Sequence, residues 1–201
     1  MREQERESGS TIQEPVKLSV CVGSSGPKRD LLIGQYDDID VTCMFADEEG
    51  ISVTEMFNSF IHKPQFDLFV YLSKDYDFKK EDCLKRICDD LFSNDLRDVG
   101  AAFTDIDASV DGETCLLKSY PTPDKALATN KSASMNIPFA VKSVVAPQFS
   151  DQFEIMFLHD GLFALFQSTL VFHLPFSGFT LNNFSPSSKK MNREMEIIQS
   201  A

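Results

Sequence analysis

Short apolar runs alternate with amphipathic segments through the first hundred residues. Four runs are rich in β-branched or aromatic residues and predict strands, at 16–22 (VKLSVCV), 40–45 (DVTCMF), 67–72 (DLFVYL) and 98–103 (DVGAAF). The third run is apolar almost throughout, which is typical of a parallel strand covered on both faces. The first run ends in a turn cluster of Gly, Ser and Pro at 23–27.

Two helices are predicted between these strands. In 52–63 (SVTEMFNSFIHK), Ser52 or Thr54 can cap the first turn, and the apolar side chains fall on one helical face. In 79–92 (KKEDCLKRICDDLF), an apolar stripe recurs at helical spacing and indicates the clearest helix of the chain. Strands that alternate with helices predict an α/β domain, built on a mostly parallel, twisted sheet with flanking helices and right-handed crossovers.

The remaining segments are less regular. Residues 108–135 are polar and predict a long loop or an irregular hairpin, 137–145 a strand that runs into a short helix, 151–168 an apolar helix, and 169–175 a last strand closed by Pro175. A single domain is expected at 16–184, between a flexible leader at 1–15 and a polar tail at 185–201.

Composition narrows the function classes. The 201 residues carry a net charge of -12, which argues against broad binding to nucleic acid through the phosphate backbone. No run reaches the roughly 18 apolar residues of a membrane span, and the polar start lacks the apolar core of a signal peptide. The five cysteines form no CxxC pair, so reduced thiols and a cytoplasmic location are expected.

Acidic turns follow three of the predicted strands, at Asp47, at Asp75 and Asp77, and at Asp105 and Asp107. The carboxyl ends of parallel strands meet at one edge of a sheet, where ligands bind. In an extended Asp-Xaa-Asp, both carboxylates point to one side, and Mg²⁺ takes one or two carboxylates together with phosphate oxygens. Asp75 and Asp77 are therefore the candidate cation pair, with Asp105 and Asp107 as a substitute pair. A solvated acidic turn is the competing interpretation.

One segment carries a family resemblance. The stretch 50–78 (GISVTEMFNSFIHKPQFDLFVYLSKDYDF) resembles nucleotide-sugar glycosyltransferases of the GT-A fold, in which a helix, a strand and an Asp-Xaa-Asp-like motif follow one another. Residues 136–175 resemble the acceptor-side half of the same family, with His159-Asp160 where the family has Glu-Asp. The resemblance extends over about residues 16–176 and implies a Rossmann-like sheet of the GT-A type.

The resemblance implies a metal-dependent transferase. Asp75 and Asp77 would hold Mn²⁺ or Mg²⁺ against the diphosphate of a nucleoside diphosphate sugar, where the cation neutralises charge on the leaving diphosphate. Asp160 would be the general base that takes the proton of an acceptor hydroxyl. His173, in the last strand, would be a further ligand of the metal or the diphosphate.

The same resemblance implies a nucleotide-binding side. Gly23 would lie beside the nucleotide at the end of the first strand, and Asp47 would contact the nucleoside. Asn58, in the helix of the resembling segment, and Asp75 complete the expected cofactor-binding residues. No motif identifies the acceptor, which stays unknown.

Alternatives stay open for the function and for single residues. Lys74 precedes the motif and could pair with its carboxylates, so a non-catalytic binding module on a degenerate GT-A fold is the alternative function. A nucleotidyltransferase would also use paired carboxylates and Mg²⁺, whereas the lack of a Walker-type glycine loop disfavours a P-loop enzyme. Asp160 can equally be a first-turn acid of a helix, and His173 a hydrogen-bonded core histidine.

Overall fold

The computed structural model describes residues 17–61, 65–110, 113–117, 138–145 and 169–181. The strands are β1 (Leu18–Ser24), β2 (Ile39–Phe45), β3 (Leu68–Leu72), β4 (Tyr76–Phe78), β5 (Val99–Val110), β6 (Glu113–Leu117), β7 (Phe139–Lys142) and β8 (Leu170–Leu181). The helices are α1 (Ala46–Glu49), α2 (Val53–Ile61) and α3 (Cys83–Leu91), and a 3₁₀ turn covers Ser143–Val145. None of these helices is long and apolar enough to cross a membrane.

All eight strands belong to one sheet. Its order is β2-β1-β3-β7-β5-β8-β4, with β6 paired to the end of β5. β1 runs parallel to β2 and β3, and β5 runs parallel to β8, while β4, β6 and β7 are antiparallel to their neighbours. The predicted α/β class and single domain are confirmed, and the sheet is mixed because β7 lies antiparallel between β3 and β5.

Three strands differ from the sequence pattern, one because it was not predicted and two because they are longer. Tyr76–Phe78, inside the predicted acidic turn, forms β4 because it pairs with the end of β8. β5 continues through the second acidic cluster to Val110. β8 continues past Pro175, which lies at a shift in register between β8 and β5, where a proline removes no ladder hydrogen bond.

Helix α2 packs aromatic side chains on one face of the sheet. Met56, Phe57 and Phe60 are buried, in agreement with their helical spacing. The ring of Phe57 meets that of Phe69 in β3 edge-on, with 5.0 Å between centroids, and the ring of Phe60 lies 4.9 Å from the same residue. Aromatic pairs of this kind contribute about 0.5–1.5 kcal/mol beyond area burial, so Phe69 anchors α2 to the sheet.

The first turn of α2 is closed by a capping box. The backbone N–H of Glu55 donates to the Ser52 hydroxyl at 3.1 Å, and the backbone N–H of Ser52 donates to the Glu55 carboxylate at 2.7 Å. These hydrogen bonds to Ser52 lower the pKa of Glu55. Ser52 therefore acts as the N-cap, which satisfies backbone donors that the helix itself cannot pair.

Helix α3 covers the opposite face of the sheet. Its apolar stripe, predicted from the sequence, is buried at Leu84, Ile87 and Leu91. These side chains share one core cluster with apolar residues of β1, β3 and β7, among them Val70 and Leu72. Both faces of β3 are thus covered, which explains why its sequence is apolar at every position.

At Gly23 the backbone of β1 is in close contact with core side chains of β3 and α2. A Cβ at this residue would lie 2.6 Å from Cζ of Phe69 and 2.9 Å from Cε of Met56, closer than real contacts allow. Core packing therefore requires glycine here. This requirement differs from the nucleotide contact that the resemblance implies for Gly23.

We expect Gly23→Ala to lower the free energy of unfolding by about 1–3 kcal/mol, because the added methyl overpacks the α2 interface. Urea unfolding followed by circular dichroism measures the change. The control is the double variant Gly23→Ala with Phe69→Leu, in which the smaller side chain leaves space for the methyl. If the double variant loses as much unfolding free energy as the two single variants together, the packing argument is contradicted.

Candidate functional site

The order in which strands are added to the sheet reverses between β1 and β3. From β1 the chain passes to β2 on one side, and it then returns to place β3 on the other side of β1. The ends of the three strands are level, since Ser24 is the register partner of both Phe45 and Leu72. In open α/β sheets, ligands bind outside the carboxyl ends of the strands at such a switch point. The candidate site is therefore the carboxyl edge at the loops after β1 and β3, which is where such sheets have their binding crevice.

Arg29 fastens these two loops together. Its Nη1 donates to the Ser24 hydroxyl at 2.8 Å, and its Nη2 donates to the carbonyl oxygens of Ser73 and Tyr76 at 3.2 and 2.9 Å. Nε of the same guanidinium is buried and has no hydrogen-bond partner within the described part of the chain. The sequence analysis does not identify Arg29 as a site residue. Its position shortly after the Gly-Ser-Ser-Gly turn is the feature of the sequence that points to it.

A second set of contacts brings the two backbones close together. The backbone N–H of Lys74 donates to the Ser25 hydroxyl at 3.1 Å, and the backbone N–H of Ser25 donates to the carbonyl oxygen of Leu72 at 3.2 Å. A Cβ at Gly26 would lie 2.6 Å from Cβ of Lys74, so only glycine permits this approach. The crevice is thus lined by two loops with a fixed relative position.

Asp75 lies beside two phenols, of which Tyr71 is fully buried and Tyr76 is half-buried. Burial raises the pKa of Tyr71 to about 12, against a hydrogen bond with Ser25 that lowers it, and the negative charge of Asp75 raises it further. Burial also raises the pKa of Tyr76 to about 12, and Asp75 is the next contributor. The Asp75 side chain is itself half-buried. A carboxylate is therefore held at the rim of the crevice, next to two neutral hydroxyl groups.

Asp77 has a different environment. Its Oδ1 accepts the backbone N–H of Leu32 at 3.1 Å and that of Phe78 at 2.7 Å. The carboxylate therefore ties the long β1–β2 connection to β4. One oxygen of the predicted cation pair is occupied by the protein itself, and a cation at Asp75 and Asp77 stays a prediction.

The predicted third metal ligand lies elsewhere. His173 is level with Phe103 of β5, whereas Asp77 pairs with Thr180, which is level with Asp107. Four residues of β5 separate the two levels, about 13 Å at roughly 3.3 Å per residue. That distance is too long for one ion to join these side chains. Within the described segments no group of three or more His, Cys, Asp or Glu side chains could hold a metal ion. The structure therefore does not favour an ion that His173 shares with Asp75 and Asp77, and the metal role of His173 stays a prediction.

His173 forms a pair with Asp105 instead. Its Nε2 lies 2.7 Å from Oδ1 of Asp105, and the Asp105 side chain is only 11% exposed. Asp105 lies between two shifts in register of β5 against β8. Irregularities of this kind re-aim side chains and are common beside active sites.

Asp107 is held by other partners. Lys79 Nζ lies 2.6 Å from its Oδ2, and the Ser177 hydroxyl donates to its Oδ1 at 2.5 Å. Burial raises the pKa of Asp107, but the hydrogen bonds and positive charge outweigh burial, so the net pKa is lowered. Asp105 and Asp107 thus have separate partners, which does not favour them as a substitute cation pair.

The other predicted residues belong to different elements. Asp47 is exposed in the first turn of α1, directly after β2. Asn58 is half-buried on α2, and Gly23 is covered by the core contacts described above. Asp160 lies outside the described residues, so its role as base stays a prediction.

No family model and no curated protein matches this sequence. Among solved structures, a CMP:2-keto-3-deoxy-manno-octonic acid synthetase complexed with CTP overlays with a TM-score of 0.44 at 11% identity, over 92% of this chain and 99% of that chain. A 4-diphosphocytidyl-2C-methyl-D-erythritol synthase from Anaerococcus prevotii DSM 20548 overlays with a TM-score of 0.38 at 12% identity, over the same shares. Neither is named as a glycosyltransferase, and likeness at this level establishes no function.

We expect Arg29→Met to lower the free energy of unfolding by about 1–3 kcal/mol, because buried acceptors on both loops lose their donor. Hydrogen exchange should also speed up at Lys74 and at its neighbours in that loop. The matched control is Lys28→Met, since Lys28 is exposed and its ion pair with Glu48 is long, at 3.8 Å. Equal stability of the two variants would show that Arg29 does not hold the loops.

Asp107→Asn should reduce stability in a pH-dependent way. A carboxyl whose pKa is lowered by folding stabilises the protein above its unfolded pKa of about 3.9, and this contribution is lost as the pH falls through the folded pKa. The difference in unfolding free energy between the parent and Asp107→Asn should therefore be largest near neutral pH and shrink in acid. Urea unfolding across this pH range measures it. A difference that grows in acid would mean that the sign of the shift is wrong.

Proposed function

We propose that this chain is a transferase that binds a nucleoside diphosphate sugar at the β1–β3 crevice and moves the sugar to an acceptor hydroxyl. One observation supports this most strongly: Asp75 lies at the rim of a topological switch point whose two loops are locked together by Arg29. A ligand with a diphosphate suits this position, because basic side chains of the two loops can meet its phosphate oxygens.

A divalent cation fits the donor set at this position. Asp75 and the remaining oxygen of Asp77 offer at most two carboxylates, which is the number that Mg²⁺ commonly takes when phosphate oxygens complete its shell. Mg²⁺ or Mn²⁺ bound there would neutralise charge on the leaving diphosphate. Asp75 is the better ligand, because no backbone N–H of the described residues donates to its carboxylate, whereas Asp77 accepts two.

The chain's own residues position the donor. Lys28 and Lys74 are exposed on the two loops that border the crevice, so their ammonium groups can meet phosphate oxygens. The protein as a whole carries a net charge of -12, so these local cations are needed to counter its repulsion of an anionic donor. Asp47, which follows β2 at the same edge, stays the proposed contact to the nucleoside.

One observation favours the alternative of a binding module without turnover. Asp77 already accepts two backbone N–H groups, so the pair can be a structural element of the loop and not a cation site. Such a module would bind its ligand without a metal. The dependence of binding on metal therefore separates the two functions.

We expect UDP or GDP to bind more tightly with Mn²⁺ than without it, and Asp75→Asn to weaken the metal-dependent part by tenfold or more, because a neutral amide is a poorer ligand for a hard cation. Isothermal titration calorimetry gives both affinities. The control is Asp95→Asn, since Asp95 is an exposed acid in the α3–β5 connection, away from the crevice. Binding that ignores metal in every variant would support the binding module instead.

The products identify the reaction. A glycosyltransferase releases a nucleoside diphosphate from its donor, whereas a nucleotidyltransferase releases pyrophosphate from a nucleoside triphosphate. Incubation with UDP- and GDP-sugars, followed by chromatography of the nucleotides, distinguishes them. Pyrophosphate release in the presence of a sugar and a nucleoside triphosphate, without any turnover of nucleotide sugars, would overturn the proposed glycosyl transfer.

A further inference from the structure

A row of side chains crosses the sheet from the crevice to the Asp105–His173 pair. Tyr71 is the register partner of Phe139, and Phe103 is the partner of His173. The rings of Tyr71 and Phe139 lie 5.5 Å apart, and those of Phe139 and Phe103 6.2 Å apart. The row therefore runs across β3, β7, β5 and β8 on a single face of the sheet, which spans three strand spacings, or about 14 Å.

Two acidic side chains lie beyond this row at the carboxyl edge. Asp75 follows β3 at one end, and Asp105 lies on β5 towards the other. The aromatic rings between them are buried and form a rigid apolar base for this stretch of the edge. A donor whose diphosphate lies at Asp75 would extend along this edge towards His173.

The pairing of His173 with Asp105 fixes the chemistry of the imidazole. An ionised carboxylate only accepts hydrogen bonds, so the nitrogen that faces it, Nε2, carries the proton. In this tautomer Nδ1 is the basic nitrogen of the ring. The His173 side chain remains 26% exposed, so the ring is within reach of a molecule at the edge.

We propose that His173 is the general base of the transfer and that Asp105 is its positioning residue. Nδ1 takes the proton of the acceptor hydroxyl as the hydroxyl oxygen bonds to the anomeric carbon. The bond from that carbon to the diphosphate oxygen breaks, and its electron pair leaves with the nucleoside diphosphate. This inference rests on the proposed function, and it assigns to His173 the role that the sequence resemblance implies for Asp160.

The decisive variant is His173→Gln. A glutamine amide can still donate to Asp105 in place of Nε2–H, but it has no basic nitrogen. We expect kcat to fall by about 100-fold or more, the typical contribution of a general base, while the donor affinity measured by calorimetry stays within about twofold. Ser177→Ala is the matched control, because it removes a contact of the neighbouring Asp107 between the same two strands and should leave kcat unchanged.

Asp105→Asn tests the positioning role. We expect kcat to fall while KM for the donor stays unchanged. The ¹⁵N spectrum of the His173 ring should show the Nε2–H tautomer in the parent protein and lose it in the variant. This spectrum needs no substrate, so it examines the pair even if a variant proves inactive for other reasons. A ring protonated on Nδ1 in the parent protein would overturn the inference.

Two failures are distinguishable. A parent protein that binds no nucleotide and turns over no nucleotide sugar refutes the proposed function, and the base assignment falls with it. A parent protein that is active, together with His173→Gln at a kcat within about threefold, refutes only the inference about His173. A loss of activity in Asp160→Asn alone would then return the role of base to that residue.

Discussion

The loops that follow β1 and β3 leave the hydrogen-bond ladder of the sheet, and beyond that point the guanidinium of Arg29 joins them, together with the hydrogen bond from Lys74 to Ser25. Arg29 reaches from the first loop to the hydroxyl of Ser24 and to the carbonyl groups of Ser73 and Tyr76. A planar fork can serve three acceptors at once, whereas the point charge of a lysine cannot reproduce this geometry. The position of Asp75 relative to the β1 loop depends on this bridge, and with it the shape of the crevice.

The antiparallel strand β7 divides the carboxyl edge into two parts. On one side β1 and β3 present Asp75, and on the other β5 and β8 present Asp105 and Asp107. Each carboxylate acquires a different neighbour there: phenols at Asp75, an imidazole at Asp105 and an ammonium group at Asp107. Three acids that look alike in the sequence thus have three separate chemical environments. The proposed donor binding and the proposed proton transfer would then use different acids of the same edge.

The sequence predicts the parts of this structure that depend on local pattern. β3 is apolar at every position and α2 and α3 have clear stripes, so their existence and buried faces follow from periodicity. Strand pairing is not local, which is why the insertion of β7 and the strand formed by Tyr76–Phe78 were not foreseen. The site shows the same limit. Asp75 was placed at a strand end from the sequence, but the partnership of His173 with Asp105 joins residues 68 positions apart and needs the register of β5 against β8.

The register of β5 against β8 also bends β8. Between Leu174 and Thr180, β8 advances six residues while its partner β5 advances only three, from Thr104 to Asp107. The surplus length forces β8 to arc away from a straight path. Gly178 marks the tightest point, because a Cβ there would lie 2.6 Å from Oγ1 of Thr104. Beyond this bend, β8 pairs with β4, and the sheet curls at this end. Pro175, which the sequence pattern takes as the end of the strand, lies within the bend.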